Sequence, residues 1–142
     1  MSQPTRRRSP PPDAAQQDLL RRVAFQAEKH TLARAYLARG RPLATLPRMA
    51  LRAQWIDACL AIGLRDDDSR RQEFDDLGLE FALRGLETPA RQVLPEMDRF
   101  DERFRKGRRK RTPDAAMLQR FNDELDALCD RLLAEDRAAT VG

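Results

Sequence analysis

Six cations stand within seven positions: Arg105, Lys106, Arg108, Arg109, Lys110 and Arg111, interrupted only by Gly107. Guanidinium and ammonium groups at that density bind anions. The guanidinium fork matches phosphate and carboxylate geometry, and each phosphate neutralised releases counterions. A run of this kind also resembles a nuclear-import or nucleic-acid patch. A competing account keeps the charges within the molecule. Cations near the C-terminus of a helix complement its dipole. The helix expected to follow carries Asp114, Asp123, Glu124, Asp126, Asp130, Glu135 and Asp136 against Arg120, Arg131 and Arg137. Dipole and pairing account for two or three of the six charges, and the surplus points to an anionic partner, either nucleic acid or an acidic protein surface.

Little else in the chain carries chemistry. His30 is the only histidine, and its neighbour Glu28 lies on another helical face, so nothing local makes it a general base. Cys59 and Cys129 are 70 positions apart, and no ligand pair has the short spacing of a structural zinc site. Both cysteines fall on apolar helical faces and read as small buried hydrophobes. Asp66, Asp67 and Asp68 lack the alternating oxygen ligands, central Gly and terminal Glu of a calcium loop, and they read instead as an acidic helix start. The glycines, at 40, 63, 78, 85, 107 and 142, are scattered rather than gathered into a phosphate loop. Asp98 and Glu102 are surrounded by Arg99, Arg103 and Arg105, the pattern of a solvated, salt-bridged face. These observations predict a protein that is not an enzyme and uses no cofactor or metal.

The formal charge is +4 overall, but its distribution matters more. Arg6, Arg7 and Arg8 add a second small basic cluster, and without those three and the 105–111 run the chain holds 18 basic and 23 acidic residues. A mildly acidic body with local basic segments differs from a generally basic nucleic-acid domain. Arg supplies 24 of the 27 cations, which a GC-rich genome explains at least as well as selection for phosphate contacts. Leu, Ile, Val and Phe together number 30 of 142 residues, so a single lean core is expected, of a kind often completed by a partner or a second copy of the chain. The polar start without an apolar stretch, and the lack of any apolar run long enough to span a bilayer, predict a cytoplasmic protein with reduced thiols and no membrane contact.

Helical periodicity organises the rest, and period-two alternation is absent. Residues 1–12, rich in Arg, Pro and Ser, are predicted to be disordered. The first helix is expected over Asp13–Arg39, with Gly40 as its stop. The second is expected over Arg48–Ile62, with Leu51, Trp55, Cys59 and Ile62 on one face and Gly63 as its end. A third begins at a Ser69–Gln72 capping box, faces Phe74, Leu77, Phe81 and Leu83 inward, uses Gly78 for a close approach, and ends near Gly85. The second and third helices have a helix-turn-helix outline. However, the third opens on Asp66–Asp68 and adds Glu73, Asp75 and Asp76, which phosphates would repel.

Pro95 leaves two readings, a fourth helix that is kinked there or, slightly favoured, one that spans Pro95–Lys106 after a short turn at Thr88-Pro89. A fifth starts after Thr112-Pro113 and runs to Arg137, followed by a loose tail over 138–142. The expected architecture is therefore all-α, a bundle of four to five helices over residues 13–137. Phe100 and Phe104 of the fourth helix, with Leu118, Phe121, Leu125, Leu128 and Leu132 of the fifth, form apolar seams that close this bundle or serve a partner. If they serve a partner, the protein is an adaptor or homodimer with no role for nucleic acid. If they close the bundle, the basic hinge 105–111 is the contact surface.

Overall fold

The structure is a computed structural model that describes residues 28–108 and 114–141, with backbone alone at 105–108 and 141. The segment 1–12, the first half of the expected first helix and Thr112-Pro113 lie outside the described residues. The fold is an all-α bundle: α1 (28–38), α2 (Arg48–Arg65), a short 3-10 turn (Asp68–Arg70), α3 (Arg71–Leu83), α4 (Ala90–Arg108) and α5 (Ala115–Val141), with no strand among the described residues. None of these helices is long and apolar enough to cross a membrane.

The central element is α2, which packs against α3, α4 and α5, while α4 also packs against α5. It buries Leu51, Trp55, Ile56, Ala58, Cys59, Leu60, Ala61 and Leu64, more than one helical face, because it has neighbours on several sides. Trp55 meets the half-buried Phe74 of α3, with ring centroids 5.3 Å apart. Phe100 stacks on Phe104 at 4.7 Å and meets Phe121 edge-on at 5.4 Å, which joins α4 to α5.

Several expected boundaries move. The second helix does not stop at Gly63. It runs one turn further, and Asp66 closes it in the left-handed region (φ 53°), its N–H reaching the carbonyl of Ala61. Burial of Leu64, 4 % exposed, outweighs the cost of about 1 kcal/mol for glycine inside a helix. Met97 of α4 lies directly over Gly63. By contrast, open space surrounds Gly78, so no close approach depends on it. The Ser69–Gln72 box is replaced by Asp67, which accepts from the backbone N–H of Ser69 at 3.2 Å, while Gln72 donates to Asp76. Leu83 is exposed rather than inward.

The fourth helix starts at Ala90, not at Pro95. Its first turn is fastened by the fully buried Pro89, by Val93 (1 % exposed) and by a bond from the Val93 N–H to the Pro89 carbonyl. That anchoring tolerates the one hydrogen bond Pro95 removes. At its far end α4 passes through Gly107 to Arg108, beyond the expected stop at Lys106. Asp114 caps α5 by accepting from the Met117 N–H at 2.8 Å, and α5 continues to Val141, so residues 138–141 are helix rather than a loose tail. Gly40 ends α1 as expected, at φ 84°.

Candidate functional site

Arg105, Lys106 and Arg108 extend α4 at its C-terminus, so half of the basic run stands on a helix rather than in a hinge loop; Arg109, Lys110 and Arg111 lie outside the described residues. The seam residues occupy the interior. Phe100, Phe121, Leu125, Leu128 and Leu132 are buried in the core, Phe104 packs against it, and only Leu118, 43 % exposed, turns outward. α4, which carries the first part of the basic run, is thus clamped to α5 by the side chains expected to offer a seam to a partner.

Beside this clamp, toward solvent, α4 and α5 leave a groove of about 650 Å³. Phe100, Ala127 and Leu128 form its apolar floor, and Arg99, Arg103 and Arg131 rise on its walls with Glu96 and Glu124 between them. Glu96 is shared by Arg99 at 2.8 Å and Arg131 at 3.0 Å. Glu124 is shared by Arg103 and Arg120. The Arg131 and Arg99 guanidiniums hold the Glu96 carboxyl below the usual carboxylate range. Arg131 also reaches Glu135 at 3.3 Å, so the three arginines of the walls and Arg120 are paired with three carboxylates. The Arg103 guanidinium also lies 4.8 Å from the centre of the Phe104 ring.

The opposite end of the molecule holds a polar cluster of a different kind. Glu80 of α3 is fully buried. Its carboxylate accepts from Tyr36 Oη at 2.7 Å, Arg41 Nη2 at 2.6 Å and Arg84 Nε at 2.7 Å. Burial alone would push this acid up, but the bonds from Arg41, Arg84 and Tyr36 prevail and hold it down to about 2. Burial, and then the bond to Glu80, push the Tyr36 phenol up. Arg84 Nη2 also reaches the carbonyls of Leu43 and Leu46, at 3.0 and 2.9 Å, and Tyr36 Oη accepts from the Leu43 N–H at 3.1 Å. The cluster latches α1 and the loop 39–47 onto α3. Nearby, Arg39 grips Asp76 with two hydrogen bonds, at 2.9 and 2.7 Å. Elsewhere Arg52 fastens α2 to α5 through the buried Asp136, with contacts of 3.0 and 2.6 Å. Sequence reading found none of these pairs. The Glu80–Arg84 spacing of four is the one local signal, since Tyr36 and Arg41 are 44 and 39 positions away.

His30 is exposed on α1 and does not line the cavity of about 510 Å³ between α1 and α3, whose walls include Glu28, Phe74 and Asp75. Both cysteines are free, Cys59 buried and Cys129 half-buried, and burial pushes each thiol up to about 11, so both are protonated near neutrality. Among the described residues no group of three His, Cys, Asp or Glu side chains is placed to hold a metal ion. Comparison with family models, with curated proteins and with solved structures finds no match to this chain.

Proposed function

We propose that this chain is a cytoplasmic, non-catalytic binding or regulatory protein whose basic segment 105–111 contacts an anionic partner, nucleic acid or an acidic protein surface. The observation that carries the reading is a division of charge. Arginines spread along the body are matched to its own carboxylates: Arg39 to Asp76, Arg41 and Arg84 to Glu80, Arg52 to Asp136, Arg65 to Asp126, and Arg70 to Asp57 and Glu73. Six further cations are packed into positions 105–111 of the sequence, a stretch that α4 enters at Arg105, and on the same helix pair Glu96 and Glu124 already serve two arginines each. An adaptor or homodimer built on the apolar seams receives less support, because those side chains are spent on the molecule's own core.

The reading is tested by fluorescence anisotropy with labelled single-stranded RNA, duplex DNA and polyglutamate at about 50 and about 200 mM salt. About six phosphate contacts weaken nucleic-acid binding about a thousandfold across that range. Replacing all six cations by Gln flattens the dependence. Salt-insensitive binding, or no binding to any of the three polyanions, rejects the proposal.

A further inference from the structure

We infer that the α4–α5 groove docks an acidic amphipathic helix of a partner protein, with an aliphatic side chain against Phe100 and Leu128 and carboxylates against Arg99, Arg103 and Arg131. This deepens the reading above and rests on it, because α4 runs from the groove directly into Arg105, Lys106 and Arg108. Three features select this occupant. First, the floor is apolar but narrow, the exposed Ala127 beside the edges of the buried Phe100 and Leu128, which an aliphatic side chain covers and a flat base does not. A phosphodiester strand would need exposed rings for its bases. Among the described residues, however, Tyr36, Trp55, Phe81, Phe100 and Phe121 are buried, and the half-buried Phe74 and Phe104 are engaged with other rings.

Second, the guanidiniums are presented but incompletely used. Arg99 and Arg103 are 68 % and 66 % exposed, and among the described residues each donates to one carboxylate oxygen, while Arg131 divides its fork between Glu96 and Glu135. Each fork has five N–H donors, so further carboxylates can be added without breaking the existing pairs. Third, Arg99 and Arg103 are one helical turn apart, about 6 Å along α4, which matches carboxylates four residues apart on a facing helix.

The test uses the full chain and a fluorescein-labelled synthetic Glu/Leu helix of about five turns with Leu at heptad seam positions. A control peptide has every Leu replaced by Ser at equal charge. Ala127→Glu places a carboxylate in the groove one turn from Arg131, on an exposed position of α5, leaving 105–111 untouched. The Glu/Leu peptide binds the wild type at least about tenfold more tightly than the Ser control, and at least about tenfold more tightly than it binds Ala127→Glu. Arg99→Gln combined with Arg103→Gln gives the same loss and decides the matter if Ala127→Glu melts early. RNA retention, which reports on 105–111, stays unchanged in Ala127→Glu. Equal binding of the two peptides, no binding of the Glu/Leu peptide, or indifference to both groove variants overturns the docking inference. The broader reading then stands or falls separately, on whether the Gln-substituted 105–111 run loses its polyanion.

Discussion

Arginine does opposite work at the two ends of this bundle. At the α1–α3 end, Arg41 and Arg84 converge with Tyr36 on one fully buried carboxylate, and Arg84 also holds the backbone of the loop it pins. At the α4–α5 end, Arg99, Arg103 and Arg120 stand 68 %, 66 % and 77 % exposed and pair with Glu96 and Glu124 at the surface. The same residue type is therefore architectural where it converges on a buried carboxylate, and more open where its carboxylate partners are themselves partly exposed. Desolvation sets the difference, because a buried charge cannot lose its partners cheaply whereas an exposed pair contributes little.

The comparison is broken most severely by Glu80→Ala, which strands Arg41, Arg84 and Tyr36. It is expected to lower unfolding free energy by about 3–5 kcal/mol, read from urea denaturation; a loss below about 1 kcal/mol would mean that the cluster is not structural. Next comes Arg52→Ala, which leaves buried Asp136 without its cation and is expected to cost about 2–3 kcal/mol. Acid sharpens the same contrast. Glu80 titrates at about 2 in the folded chain and near the ordinary glutamate value, about 4.3, once unfolded. The unfolded state therefore binds the proton first, so this group's contribution is complete above about pH 4.3 and is lost as pH falls toward 2. Glu80→Gln should show a shallower decline in stability over that interval than the wild type, and parallel curves would argue against the assignment. The smallest effect belongs to the open end, where Arg103→Ala should change stability by no more than about 1 kcal/mol.

How much of this was legible beforehand follows the same division. The helices declare themselves through local period: the spacing of Leu51, Trp55 and Cys59 and of Phe121, Leu125, Leu128 and Leu132 reappears as the buried faces of α2 and α5. Local punctuation was less dependable. Gly63 and Pro95 both suggested boundaries, and both lie inside helices because Leu64 and Val93 are held by the core. Tertiary burial outweighs a residue's own preference when the gain exceeds about 1 kcal/mol for glycine or about 3 kcal/mol for proline. The Glu80 latch left almost no trace, since two of its donors come from a helix end and a loop about forty positions upstream. The groove was half visible. Asp98 and Glu102 among their arginines on α4 read as a solvated face, and the packing of Phe100 and Phe104 against Phe121 sets that helix beside α5.

The central claim is that charge at 105–111 serves a partner while charge in the body serves the fold. It is tested most directly by measuring two properties of one protein preparation in which Arg105, Lys106, Arg108, Arg109, Lys110 and Arg111 are all changed to Gln: the urea midpoint and the salt concentration that elutes it from heparin. The account predicts a midpoint within about 0.5 kcal/mol of wild type and elution at markedly lower salt. A destabilised chain that still elutes with the wild type would contradict it, because the run would then be holding the bundle together rather than reaching outward.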